Sequence, residues 1–421
     1  MKKTGILLLL FSVFLFLAFN KHSKDDHQSY QSVLWADASG YYVYNPIWFI
    51  YGNDCSSMPD SIRFKTGTGF SFNEKTGNII TKYTSGVAIL QAPFFLVAHI
   101  LSGPMGFPSD GFSPIYHGAI MIAGTFYGLL GLLFSFLFLK KYFLEKISLI
   151  TVSVFFLGTN LFYYTLDASG FLHVYSFFLI SAIAYLTTKI YKAPLFKFFL
   201  PLLVSLALVM LIRPTNIILV IFIFFFGNTF SFPENIAFFR QHLKPVFISL
   251  LISLSILIPQ LIYWSQSFNS PIVYSYGEEG FPFLLSPKLI PVWFSTNNGL
   301  FTWAPVLFTG VAGMAMALWK KDRNGIIITV IFLLSSYVFS SWWNYWFGCA
   351  MGARSFVEYY PLLMFPFTYV ISQIKSKVGM ALLFVFFAGC IWINLNIIYY
   401  YDGCFYGGEW DWNAYFKLVT D

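Results

Sequence analysis

The stretch GVAILQAPFFLVAHIL, residues 86–101, decides the fold of this chain, because the sidedness of everything after it depends on whether it crosses a membrane. It is apolar but short, where a span needs about 20 residues. It carries Pro93 and His99, and a Gly/Pro-rich loop follows it. The 421 residues around it are 57% hydrophobic and 22% aromatic but only 10% charged, with a mean hydropathy of +0.68. A soluble domain carries roughly 25% charged residues. So much apolar surface cannot be hidden from water, which predicts an all-α polytopic membrane protein.

Apolar runs of spanning length lie at about 4–20, 115–139, 147–165, 172–188, 198–212, 215–230, 246–266, 299–319, 325–341, 355–373 and 379–400. If 86–101 does not cross and the N-terminus is inside, the inner loops read KKYFLEK, TKIYKAPLFK, RQHLK, KKDR and QIKSK. These are rich in Lys and Arg, and the inner side as a whole holds only Glu145, Glu234 and Asp322 of the chain's 18 acids. If 86–101 crossed, every later basic loop would face outward, against the positive-inside rule. The expectation is therefore a single transmembrane domain over 1–421 with about 11 helices, N-terminus inside and C-terminus outside. Residues 20–114 form a first extracytoplasmic loop with interfacial helices at about 31–51 and 83–101, and 401–421 form an extracytoplasmic tail. The opening MKKTGILLLLFSVFLFLAFN has a signal-peptide pattern without a small-residue cleavage site directly after it, and is expected to stay as the first span.

The net charge is +7, but its Lys and Arg are scattered between apolar segments, so no nucleic-acid-binding face is expected. None of the four cysteines has zinc-type or CxxC spacing. Cys55, Cys349 and Cys404 are placed outside, where a disulfide could join two of them, Cys349 with Cys404 for example; Cys390 sits inside a span.

Long outer loops on a rigid scaffold direct attention to their polar residues. Asp37, in LWADASGYYVYNP, is a general-base candidate or an exposed interfacial acid. Asp167, in YYTLDASGFLHVYSFF, is a second acid or a helix cap, with His173 six residues on. Lys82 and Tyr83 open the 83–101 segment. Lys82 could reach lipid headgroups. Arg213, in LIRPTNIILV, breaks the inside bias of the basic residues and needs an anionic partner. Arg354 and Glu358, in GARSFVEYYPLL, are spaced either for an i,i+4 ion pair or for Arg354 to face a phosphate. Trp342, Trp343, Tyr345 and Trp346 suit an interface belt or sugar stacking. Asn298, in FSTNNGLFTW, suits a cap or a ligand hydrogen bond. Two acids and three bases expected on one membrane face fit an anionic lipid with a polar head.

These residues resemble the GT-C class of integral membrane glycosyltransferases, which includes the lipid A aminoarabinose transferase and protein O-mannosyltransferase families. Asp37 matches the catalytic acid of the first outer loop by position. KYTSGVAILQAPFF looks like the surface segment that follows it, with Lys82-Tyr83-Thr84 where Lys-Pro-Pro is usual. Asp167 matches a second acid past the third span, and LIRPTN and GARSFVEYYPLL look like segments of bacterial members.

The resemblance implies transfer of a sugar from a polyprenyl-phosphate donor to a glycan, lipid or protein acceptor, with Asp37 and Asp167 catalytic. Lys82, Tyr83, His173, Arg213, Asn298, Arg354 and Glu358 would bind substrate. It implies no cofactor beyond the lipid-linked donor. Some related enzymes use a divalent metal, but no multi-carboxylate cage stands out here, so none is expected. The location implied is a bacterial cytoplasmic membrane, with membrane lipids around it and the site on the extracytoplasmic face. The competing expectation is a transporter or lipid-linked-sugar flippase, which would place polar residues along a path through the bilayer.

Overall fold

The computed structural model describes residues 3–24, 32–59, 61–73 and 76–420. The described chain is mostly helical, with almost no strand. Among the described residues, five helices are long and apolar enough to cross a membrane: Pro114–Leu139, Leu172–Ile190, Leu243–Phe268 (bent between Ser255 and Ile258), Arg323–Ser341 and Lys377–Tyr400. Leu172–Ile190 is the hub, with 83% of its most apolar window buried, against 22% for Leu243–Phe268 and 17% for Lys377–Tyr400 at the periphery. It packs most extensively on Pro114–Leu139 and Phe196–Ile212. Small residues make the first of these contacts possible: a Cβ on Gly131 would lie 2.5 Å from the Phe177 ring, and one on Gly128 would lie 3.3 Å from Val174. Close approach through glycine is how apolar helices gain contact where no water drives them together.

Several apolar runs do not fold as single helices. The run at 147–165 breaks at Thr159–Asn160 into Glu145–Gly158 and Leu161–Leu166. The break frees Asn160, whose amide donates to Met351 O (2.7 Å) and accepts from Tyr360 OH (2.6 Å). The run at 299–319 comprises Leu300–Trp303, a 3-10 turn Pro305–Leu307 and Phe308–Lys320. The run at 215–230 begins as the 3-10 turn Pro214–Ile218 before Leu219–Phe225, and 355–373 begins as the 3-10 turn Arg354–Tyr359 before Tyr360–Gln373. Apolar composition is the same in α-helix and 3-10 turn, so hydropathy alone does not mark these breaks.

The first long loop is a packed unit. A helix starts at Asp37 and continues through Tyr44–Pro46 and a π-turn over Ile47–Tyr51; Tyr41 to Ile47 are all buried. The Gly86–Ser102 helix lies against it. Between them sits an antiparallel hairpin, Ser71–Asn73 with Asn78–Ile80, a strand pair the all-α expectation lacks. Val33, Tyr42, Tyr44, Ile79, Phe95 and Tyr263 share one core here, so the Ile258–Phe268 helix is bound into the same unit.

Candidate functional site

A cavity of about 490 Å³ opens between this loop unit and the helix ends. Asp37, Lys82, Tyr83, His173, Arg213 and Arg354 all line it.

Asp37 is presented by a strained turn. Ala38 N–H donates to Trp35 O (3.1 Å), closing a turn in which Ala36 has φ 48° and ψ −122°. That combination is the first central position of a type II′ turn, where glycine is the usual residue. The turn is pinned from outside. Ala36 N–H donates to Thr66 O (2.9 Å), and Ser39 Oγ donates to Ala36 O (2.8 Å). Gly69 packs so closely that a Cβ there would fall 1.9 Å from Ala36 O. The carboxylate that emerges accepts from Arg354 Nη2 at 3.0 Å on one oxygen and from Tyr83 OH at 2.5 Å on the other. Burial and the Asp37 charge push the Tyr83 phenol well up, so it keeps its proton and serves as a donor.

Arg354 reaches Asp37 from the far end of an irregular loop, 342–353. Positive φ values at Phe347, Gly348 and Gly352 shape that loop, and Asn298 Nδ2 ties it down by donating to Trp346 O (2.9 Å) and Gly348 O (3.0 Å). A Cys349–Cys404 disulfide fastens it to the segment after the last long helix. Asn160 and Tyr164 hold the backbone of Met351. The guanidinium lies 5.6 Å from the Phe171 ring centroid.

The i,i+4 pair expected between Arg354 and Glu358 does not form. Residues Arg354–Tyr359 are a 3-10 turn, with about three residues per turn, so positions four apart no longer share a face. Glu358 instead takes Arg213 as its partner and accepts from Asn216 Nδ2 at 3.0 Å. Its side chain is fully buried, and it does not line the cavity. Arg213 does, stacked within 5.5 Å of Phe339 and 6.0 Å of Phe347.

Lys82 also has a carboxylate. Its Nζ donates to Glu279 Oε1 at 2.6 Å and lies 5.6 Å from both the Tyr83 and Tyr276 ring centroids. Glu279 belongs to the 269–288 segment, which also contributes Tyr274, Tyr276 and Phe281 to the cavity wall. Burial pushes the Tyr276 phenol up to about 12.

His173 lines the cavity, its ring edge-on to Tyr164, and its Nδ1 has no hydrogen-bond partner among the described residues. Asp167 and Asn298 do not line it; Asn298 is a brace for the 342–353 loop, and Asp167 ends the Leu161–Leu166 helix. Glu279, Tyr276, Tyr41 and Asn344 were not among the expected site residues. The acidic GEEG at 277–280, between two long apolar runs, is the sequence signal for Glu279. Trp342 and Trp343 line the wall, one half-buried and one exposed. Among the described residues no three His, Cys, Asp or Glu side chains stand together as a metal cage requires.

Chemically, the cavity offers two carboxylates (Asp37, held by two donors, and Glu279, paired with Lys82), three cations, an imidazole nitrogen without a partner among the described residues and a wall of aromatic faces. Neither protein-family models nor curated proteins match this chain.

Proposed function

We propose that the chain is a polytopic membrane glycosyltransferase with an eleven-span topology, N-terminus inside and C-terminus outside. It transfers a sugar from a polyprenyl-phosphate donor to an acceptor hydroxyl on the extracytoplasmic side. The observation that supports this most is the convergence of Asp37, Lys82, Arg213 and Arg354, drawn from four distant parts of the chain, on one cavity. Charged groups are expensive at membrane depth and are kept there for a purpose.

In this reading the acceptor hydroxyl lies within reach of the Asp37 carboxylate. As its oxygen attacks the anomeric carbon, the bond from that carbon to the phosphate oxygen breaks. The hydroxyl proton passes to Asp37, and the lipid phosphate leaves with the electron pair. Such direct displacement inverts the anomeric centre. The Tyr83 hydroxyl holds the Asp37 carboxylate in orientation. Arg354 and Lys82 offset charge that grows on the departing phosphate, and fixed donors do this without reorganising. The aromatic wall of Tyr276, Phe281 and Trp342 supplies apolar faces for the sugar ring and the first isoprene units.

Asp37→Asn keeps the side-chain shape and removes the proton acceptor. It is expected to abolish release of polyprenyl phosphate from a radiolabelled lipid-linked sugar while donor binding persists. Turnover at the wild-type rate would remove Asp37 from the chemistry.

A further inference from the structure

The three cations of the cavity do not give it a positive charge, because each is already matched. Arg354 faces Asp37, Arg213 faces Glu358 and Lys82 faces Glu279. An anionic headgroup therefore has to take a cation away from a carboxylate, and the three pairs differ in what that requires. Glu358 is fully buried and is also held by Asn216. Asp37 is also held by Tyr83 and sits on a pinned turn. Glu279 has Lys82 as its only ion-pair partner among the described residues, and both side chains are partly exposed, 38% for Lys82 and 28% for Glu279.

The surroundings of Glu279 favour its release. Its backbone is fixed: Glu279 N–H donates to Tyr276 O (3.1 Å), its carbonyl accepts from Tyr274 OH, and Gly280 O accepts from Trp343 N–H (3.0 Å). The flanking Gly277 and Gly280 have nothing within 4 Å of where a Cβ would stand, so there is open space for a side chain to swing into. Lys82 stays behind, aligned by the Tyr83 and Tyr276 rings, with its carbonyl bound by Ser275 Oγ at 2.6 Å.

Resting on the lipid-phosphate reading above, we infer that Glu279 is a built-in competitor for Lys82. A phosphate headgroup displaces the Glu279 carboxylate and takes its place on the ammonium, so Glu279 sets how much negative charge a ligand must carry to bind.

The test is binding of farnesyl phosphate, and separately of inorganic phosphate, to the purified full chain in detergent, followed by tryptophan fluorescence. Glu279→Ala and Glu279→Gln are each expected to tighten farnesyl phosphate binding about threefold, the scale of a part-exposed ion pair. Adding Lys82→Ala should erase that gain. Binding that is unchanged or weaker in both Glu279 variants overturns the inference and leaves the lipid-phosphate reading standing. Absence of binding by the wild-type chain overturns that reading and the inference with it. A gain seen with inorganic phosphate and not with farnesyl phosphate overturns the assignment to a lipid.

Discussion

Removing the Arg213 side chain leaves a buried carboxylate without its cation. Glu358 is 0% exposed, and besides Arg213 the amide of Asn216 holds it. Breaking a buried ion pair from one side costs about 3–5 kcal/mol, because the surviving charge stays desolvated. Arg213 is itself 18% exposed and opens on the cavity, which lets water approach Glu358 once the guanidinium is gone, so Arg213→Ala is expected near the low end, about 3 kcal/mol. Adding Glu358→Gln removes the stranded charge while leaving a partner for Asn216, whose oxygen still accepts from Tyr359 OH (2.6 Å). The double variant should recover more than half of the loss. Reversible unfolding of the purified chain, titrated with SDS in mixed micelles and read by tryptophan fluorescence, measures both. If Arg213→Ala loses less than about 1 kcal/mol, or the double variant is no more stable than the single, Glu358 is not held as a desolvated charge and the account of the pair is wrong.

The Ala36 turn gives a prediction of opposite sign. Ala36→Gly should stabilise the chain by about 1 kcal/mol, since relief of a disfavoured backbone conformation outweighs the extra freedom of the unfolded glycine; a lower midpoint in the same titration would contradict it. The Cys349–Cys404 link closes a separation of 55 residues. By chain entropy its loss in Cys349→Ser/Cys404→Ser costs up to about 4 kcal/mol, less where the bilayer already restrains the unfolded chain. If the chain is the proposed transferase, the same variant should raise KM for the lipid donor more than it lowers kcat, because Arg354 follows the freed loop; unchanged KM would separate the disulfide from the cavity.

Charges are conspicuous in a chain with so few of them, and this is why Asp37, Lys82, Arg213 and Arg354 could be singled out from the sequence. Each lies at the edge of an apolar run, where a charge has no routine packing role. Their partners were less legible. Arg354 and Glu358 have α-helical spacing, but the segment winds as a 3-10 turn, and that choice leaves no mark in a string of apolar residues. Glu279 lies in a segment without periodicity, and its pairing with Lys82 spans 197 positions, a distance no local pattern reports. Asp167 was drawn in by its DAS context, shared with Asp37, yet the two tripeptides stand at opposite ends of short helices: Asp37 opens one and Asp167 closes another. The apolar runs were readable as runs, whereas their interruptions were not. Asn160 shows why: it breaks a helix to hold a loop nearly two hundred residues away.

The Cys349–Cys404 bond ties one wall of the cavity to a point just beyond the Lys377–Tyr400 helix, which lies at the rim of the bundle and does not line the cavity itself. That wall can be sealed only once the peripheral helix has been threaded into place. A helix remote from the chemistry thereby gains control over when the pocket matures, and damage to its insertion would surface as a poorly formed binding site in a protein whose interior is otherwise sound.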